Sequence, residues 1–250
     1  MSRTGQLRRY QKEFGHSYSF GVFPTLELLT HRPSCVRQVV AHTKGARSGG
    51  WDKLEALCAV NTVPFVIDDR AVERLSHKGN SYVFGVFEKY DAPLSATANH
   101  LLLVNPSDHG NLGTIARTLL AFGMQDVALI SPAVDIFNPH VVRASMGATF
   151  ALRFGYFDSL EAYQAALGRP GPDQPDLDRT LYPFMLGAPT PLAEVTFHRP
   201  YTLVFGPEGA GLSPEYAETG VPVMIPQSPL VESLNLAVAV AVALYETSRE

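Results

Sequence analysis

Apolar residues in the second half of the chain form short runs that alternate with longer amphipathic stretches. The runs LLLVN (101–105) and VALIS (127–131) each precede a helical pattern, near residues 112–122 and 139–146 respectively. Such alternation is typical of an α/β fold in which helices connect the strands of a parallel sheet. Further strands are predicted at 150–154, 181–185, 202–205 and 223–225. The proline-rich stretch 168–191 is interpreted as a mostly irregular surface segment around one of them.

The final apolar segment, residues 234–246, alternates large and small side chains and so resembles a strand at first sight. Its length and alanine content favour a helix instead. Ser233 or Asn235 could cap the helix by accepting a backbone N–H bond. Because its apolar residues cover all sides, we expect burial partly against the sheet and partly against another subunit.

The first half of the chain has a mixed pattern. A helix is predicted over 51–61, and short apolar runs lie at 36–41, 64–67 and 82–87. The segment DAPLSATAN (91–99) lacks apolar periodicity and is typical of a linker. We therefore predict a smaller α/β domain over residues 1–92 and a second domain over 99–250.

Composition supports folded domains. Apolar residues make up 46% of the 250 residues and charged residues only 18%, below the roughly 25% of ordinary soluble domains. A subunit interface is one place for the extra apolar surface. No apolar run reaches the ~20 residues of a membrane span, and no secretory signal is visible, so a soluble, cytoplasmic protein is expected. Cys35 and Cys58 form no metal-ligand pattern, the histidines have no ligand spacing, and we expect no metal.

Charge is divided unevenly along the chain. Residues 1–53 hold nine Lys or Arg and three acidic residues, a net charge of +6, although the whole chain carries −4. This basic region could bind the phosphates of RNA or DNA. A solvated basic surface without a partner would give the same pattern.

Three polar loops follow predicted strands, at 105–117, 205–213 and 225–235. The carboxyl ends of parallel strands meet at one edge of a sheet, where ligands commonly bind. Glycines 206, 209 and 211 have the order G-x-x-G-x-G, which is neither the dinucleotide fingerprint nor a P-loop. A nicotinamide oxidoreductase is therefore disfavoured.

The residues of these loops resemble the SpoU or TrmH-type RNA ribose 2′-O-methyltransferases of the SPOUT class. Four stretches carry the resemblance: NLGTIAR (111–117) with AFG (121–123), RASMGA (143–148), FGPEGAGLS (205–213), and IP (225–226) through SLN (233–235). Together these patterns span about 150 residues, from the predicted linker to the end of the chain.

The resemblance implies a C-terminal parallel-sheet SPOUT domain with a trefoil knot, S-adenosylmethionine as cofactor, a homodimer, and methyl transfer to a ribose 2′-hydroxyl of rRNA or tRNA. It also implies functional residues. Gly206, Gly209, Ile225 and Leu234 would hold the cofactor, and Arg117, Asn111, Glu208, Ser233 and Asn235 would form the catalytic site.

The chemistry of these side chains suits methyl transfer. Arginine has a pKa above 12, so Arg117 is better understood as a clamp on RNA phosphate than as a base, although proton abstraction stays open. Asn111 and Asn235 can each donate and accept hydrogen bonds. Glu208 is a candidate for orienting Arg117 or capping a helix, and Ser233 for a cap or a substrate contact.

Two departures from the family pattern affect the cofactor site. Pro207 replaces a small polar residue, and Gln227-Ser-Pro229 replaces methionine and glycine. Each proline removes a backbone N–H donor. A catalytically silent RNA-binding or ribosome-assembly protein that kept the fold is the alternative.

The N-terminal domain loosely resembles the family's substrate-binding module, which is related to small ribosomal proteins. With its early basic residues it is the candidate for binding structured RNA. Tyr18, Phe20 and Phe23 could stack on bases, whereas core packing is expected for at least two of them.

Overall fold

The computed structural model describes residues 7–47, 49–76, 81–167 and 179–249. The chain forms two compact units: unit 1 comprises Met1–Tyr90 and Asp135–Ala151, and unit 2 comprises Asp91–Val134 and Leu152–Glu250. Two predictions lie outside the described residues: the basic residue Arg3 and the part of the irregular 168–191 stretch that covers residues 168–178. Among those described, no helix has the length and apolarity of a membrane span.

Unit 1 is built around a four-stranded sheet in the order β1-β4-β2-β3. Strand β4 runs antiparallel to β1 and β2, and β3 runs parallel to β2. Side chains of β2 alternate between two cores: Val39 packs on one face and Val40 on the other. The elements are β1 (His16–Phe20), α1 (Val22–His31), β2 (Val36–Ala41), α2 (Trp51–Val60), β3 (Phe65–Ile67), α3 (Asp69–Leu75) and β4 (Val83–Glu88).

Unit 2 contains the predicted parallel sheet, with five strands in the order β7-β6-β5-β10-β8. A separate pair joins β9 and β11. The strands are β5 (His100–Val104), β6 (Asp126–Ile130), β7 (Arg153–Phe157), β8 (Thr180–Pro183), β9 (Thr190–Pro191), β10 (Tyr201–Phe205) and β11 (Val223–Met224). The helices of this unit are α4 (His109–Ala121), α6 (Leu160–Leu167) and α7 (Leu236–Thr247).

The segment Asp135–Ala151 differs from the predicted domain division, because it packs within unit 1. Its helix α5 (Pro139–Ala144) is followed by Gly147, which has a φ of 89°. A Cβ on Gly147 would lie 2.9 Å from the Cα of Pro24 in α1. The ring of Phe150, predicted to begin a strand, meets Phe87 edge-on at 5.1 Å between centroids. Each contact joins residues that are far apart in the sequence, so no local sequence pattern indicates it.

The predicted linker is bound to unit 2 rather than free. Ser95 N donates to the Asp126 carboxylate over 2.8 Å. The guanidinium of Arg179 donates to the carbonyls of Ala96 and Ala98 over 2.6 and 2.8 Å. Leu94 also packs against the core of unit 2, but most of the anchoring bonds involve polar backbone groups, which apolar periodicity does not reveal.

His100 begins β5 and is fully buried in a polar network. Its Nε2 lies 2.8 Å from the carbonyl of Ser95, an acceptor, so Nε2 carries the proton. Nδ1 then accepts from the Tyr163 hydroxyl over 2.8 Å. Burial, followed by the nearby Arg179 charge, lowers the pKa of His100 from 6.5 to about 4. Histidine is therefore neutral in the folded protein.

This network predicts a pH-dependent stability. Between pH 6.5 and about 4 the unfolded chain binds a proton at His100 that the folded chain does not, so stability is present above 6.5 and is lost as pH falls towards 4. The shift corresponds to roughly 3 kcal/mol. Urea unfolding of His100→Gln should show a flatter dependence over this range, whereas His198→Gln, at an exposed histidine, should match the wild type. An equal slope in all three proteins would contradict the assignment.

Candidate functional site

The site lies at the carboxyl edge of the unit 2 sheet. Strands β5 and β10 are parallel neighbours, so the loops that follow them emerge side by side. After β5, the Asp108 carboxylate accepts from Asn111 N over 2.7 Å and caps α4. After β11, Asn235 caps α7 by accepting from Ala237 N over 2.9 Å. Asn235, rather than Ser233, is thus the cap of the final helix.

Three predicted residues meet in a line of hydrogen bonds, which we call the polar relay: Glu208, Asn111 and Asn235. Asn111 Nδ2 donates to Glu208 Oε1 over 3.2 Å. Asn235 Nδ2 donates to Asn111 Oδ1 over 3.0 Å. Ser107 adds its backbone N–H and hydroxyl to Glu208 Oε2, over 3.4 and 3.1 Å. All three loops are therefore joined through side chains.

The ionised Glu208 fixes the direction of the relay. Burial would raise the pKa of Glu208, but hydrogen bonds from its own backbone, Asn111 and Ser107 together lower it. A carboxylate only accepts, so Asn111 must present its NH₂ group to it and its oxygen to Asn235. The Asn235 oxygen then faces the N-terminal end of α7, where it accepts from Ala237 N. Each amide is held in one orientation.

Beside the relay lies a cavity of about 230 Å³, the unit 2 cavity. The stacked rings of Phe184 and Phe205, 4.4 Å apart at 11°, form part of its wall. Gly206 packs so tightly that a Cβ would lie 2.3 Å from the carbonyl carbon of Gly211. Gly209 and Gly211 have φ values of 86° and 68°, which favour glycine. The loop follows its path only with these glycines.

The structure brings most of the predicted site residues together. Six of them line the unit 2 cavity: Gly206, Glu208, Gly209, Ile225, Ser233 and Leu234. Asn111 and Asn235 line a neighbouring groove between α4 and α7 and are joined to the cavity through Glu208.

Arg117 lies apart from this cluster. It is exposed on α4 and has no hydrogen-bond or ion-pair partner in the described part of the chain. Arg117 follows Asn111 by six positions on α4. This spacing corresponds to about 9 Å along the helix axis and places the two residues on different faces of the helix. The expectation that Glu208 orients Arg117 is wrong within one chain, because Glu208 binds Asn111 and Ser107.

Ser107 supports the site and residues 184–186 line it, although the sequence patterns singled out neither. Ser107 follows the carboxyl end of β5 and residues 184–186 follow that of β8, and this position at the ligand-binding edge of the sheet could have indicated them. Of the departures from the family pattern, Pro207 and Gln227 line the cavity. Pro229 is exposed and is not among the residues that line it.

Comparison with known proteins places this geometry in context. The model of the SpoU rRNA Methylase family matches residues 98–245. An uncharacterized tRNA/rRNA methyltransferase of Synechocystis is 39% identical over 155 residues, which cover 60% of this chain and 53% of that protein. The 23S rRNA (guanosine(2553)-2′-O)-methyltransferase RlmP of Bacillus subtilis is 31% identical over 158 residues, covering 60% and 58%. The matched region thus spans little more than half of these relatives.

Solved structures share the fold over nearly the whole chain. The AdoMet-bound rRNA methyltransferase of Sinorhizobium meliloti has a TM-score of 0.75 at 24% identity, covering 94% of this chain and 87% of that one. The SpoU methyltransferase AviRb of Streptomyces viridochromogenes has a TM-score of 0.75 at 23% identity, covering 94% and 90%.

The relay predicts that Asn111→Asp destabilises unit 2. The change replaces a donor to Glu208 by a second carboxylate. A hydrogen bond to a charged group contributes about 1.5–3 kcal/mol, whereas a carboxylate in the first helical turn gains only about 0.3–1 kcal/mol. We expect a net loss of about 1–2 kcal/mol, measured by urea unfolding at pH 7.

The loss should shrink as the pH is lowered, because a second carboxylate raises the pKa of its neighbour until one carboxyl takes up a proton and donates to the other. Gln164→Glu on exposed α6 makes the same amide-to-acid change away from the relay and serves as control. Equal stability of Asn111→Asp and Gln164→Glu would contradict the relay.

Proposed function

The chain belongs to the SpoU rRNA Methylase family, and we propose that it transfers a methyl group from S-adenosylmethionine to a ribose 2′-hydroxyl of rRNA or tRNA in the cytoplasm. The observation that carries the proposal is the polar relay at the edge of a glycine-walled cavity. RlmP, whose name specifies 2′-O-methylation of 23S rRNA, supports the choice of the target atom.

The residues of the unit 2 cavity fit S-adenosylmethionine. The stacked Phe184 and Phe205 rings and Ile225 offer an apolar wall for a nucleoside, and the backbone of residues 206–211 borders the same cavity. The anionic Glu208 complements a positively charged ligand. When bound, the cofactor would supply a methyl group on a positively charged sulphur.

Positioning dominates the chemistry of this chain. Asn111 and Asn235, held in one orientation, would orient the ribose without adding charge. Arg117 would bind an RNA phosphate and polarise the 2′-oxygen. The 2′-oxygen would take the methyl group that the bound cofactor supplies, and its proton would pass to solvent rather than to an arginine with a pKa above 12. Arg117 is then required for alignment rather than as a base.

We propose a homodimer through α4 and α7, in which Arg117 of one subunit completes the site of the other. Val238, Val242 and Tyr245 are exposed on α7, although Leu236, Val240 and Leu244 on the same helix are buried. A partner subunit would cover this exposed apolar face. Arg117, which does not reach the site of its own chain, would then reach the site of the partner subunit.

We also propose the family's trefoil knot in unit 2. Strand β10 lies between β5 and β8 although β8 precedes it in the chain. Close backbone approach supports the threading, since a Cβ on Gly220 would lie 2.1 Å from the carbonyl oxygen of Leu181. Unit 1, with the basic residues of the first 53, would be the ribosomal-protein-like module that binds the substrate RNA.

Methyl transfer is tested with labelled S-adenosylmethionine and total RNA. We expect label in alkali-resistant dinucleotides, because a 2′-O-methyl group blocks cleavage at the next phosphate. Arg117→Ala should reduce turnover by roughly 10²-fold or more, while calorimetry shows nearly unchanged cofactor binding. Label in bases would contradict the target atom. Absence of cofactor binding by the wild type would favour the silent RNA-binding protein, and full activity of Arg117→Ala would exclude its role.

Mixing two inactive variants tests the shared site. Arg117→Ala keeps an intact cavity, and Ile225→Trp enlarges a half-buried side chain of the cavity wall but keeps Arg117. Random mixed dimers should recover about one quarter of wild-type activity if the arginine acts across the interface. Activity that stays at the level of the separate variants would place Arg117 in its own subunit's site. Sedimentation first verifies that both variants still form dimers.

A further inference from the structure

Unit 1 has a cavity of its own, of about 190 Å³, which we call the unit 1 cavity. Residues of the N-terminal stretch, β1, α3 and α5 line it. Those used below are Arg9, Tyr10, Tyr18, Phe20, Asn138 and His140. None of these residues was assigned a role in methyl transfer.

Aromatic rings form the rigid part of the unit 1 cavity. Tyr18 is 1% exposed, donates its hydroxyl to the Arg8 carbonyl over 2.5 Å, and stacks on Phe20 at 5.7 Å between centroids. Tyr10 donates its hydroxyl to Asp135. Of the three aromatics predicted to stack on bases, Tyr18 is core, Phe20 is half-buried at the cavity, and Phe23 is 63% exposed.

Polar groups at the cavity are available to a ligand. The Asn138 oxygen caps α5 by accepting from His140 N over 2.9 Å, which leaves the Asn138 NH₂ as a donor. Arg9 is exposed and has no partner among the described residues. The nearby Asp135 carboxylate is already paired with Lys89 over 2.7 Å. The rim therefore offers hydrogen-bond donors and positive charge.

We propose that the unit 1 cavity binds one unpaired nucleobase of the substrate RNA, with a flanking phosphate on Arg9; this inference rests on the proposed function. Ligand cavities for whole drug-sized molecules usually exceed about 300 Å³, so a cavity of about 190 Å³ suits a single base. Planar aromatic walls, an amide donor and an arginine match stacking, edge recognition and phosphate binding by single-stranded RNA.

A short single-stranded RNA with one central 2-aminopurine tests the proposal on the full chain. We expect fluorescence quenching on binding, and about tenfold weaker binding of the same RNA with an abasic site at that position. Equal affinities for the two RNAs would overturn the proposal. A short tyrosine-containing peptide that displaces the bound RNA at a lower concentration than unlabelled RNA does would also overturn the proposal, because this result would indicate a protein partner.

Matched variants separate the cavity from general charge. Asn138→Ser is neutral, keeps an oxygen that can cap α5 and removes the NH₂ donor, and Arg9→Ala removes an exposed charge, so both should fold. Each should weaken binding of the 2-aminopurine RNA by about fivefold or more, whereas Arg70→Ala, at an exposed position of α3, should change it by less than about twofold. Wild-type affinity in Asn138→Ser and Arg9→Ala would reject the cavity.

Methyl transfer to total RNA distinguishes this inference from the proposed function. In Asn138→Ser the KM for RNA should rise with kcat unchanged, because the lost contact affects bound substrate and transition state equally. A wild-type protein that methylates RNA but does not discriminate the abasic RNA retains the proposed function and loses this inference. A protein that discriminates the abasic RNA but transfers no methyl group supports the cavity and rejects the proposed function.

Discussion

The ionised Glu208 is the constraint on which the candidate site depends. As a pure acceptor it turns the Asn111 amide towards itself, and Asn111 thereby turns Asn235, whose oxygen caps α7. One carboxylate therefore couples the loops after β5, β10 and β11 to the start of the final helix. Asn111 makes both side-chain hydrogen bonds of the relay, so its replacement would remove the link between Glu208 and Asn235 at once.

The sheet makes this coupling possible. Insertion of β10 beside β5 brings the loop 205–213 next to the start of α4, although Asn111 and Glu208 are 97 positions apart in the chain. The backbone there is so close that only glycine fits at 206 and 220. The glycines thus have a steric role, and their spacing does not match nucleotide-binding patterns because no phosphate loop is formed.

Local patterns allowed prediction of the parallel sheet, α4, the helical final segment and the three loops, because apolar periodicity and capping residues depend on neighbours in sequence. They did not predict the placement of Asp135–Ala151 in unit 1, the hydrogen bonds that anchor the linker, or Ser107. Gly147 against Pro24 and Ser95 against Asp126 are contacts between distant residues. The resemblance to a family named the relay residues, but only coordinates show that Glu208 binds Asn111 rather than Arg117.

The hydrogen bonds of Glu208 also bear on Arg117. Ser107 and Asn111 donate to the two oxygens of the carboxylate, whereas Arg117 is exposed on α4 without a counter-charge among the described residues. An arginine that pairs with no carboxylate is suited to bind an external anion bidentately. In the proposed reaction the amides of the relay would orient the sugar, and the arginine outside the relay would bind its phosphate.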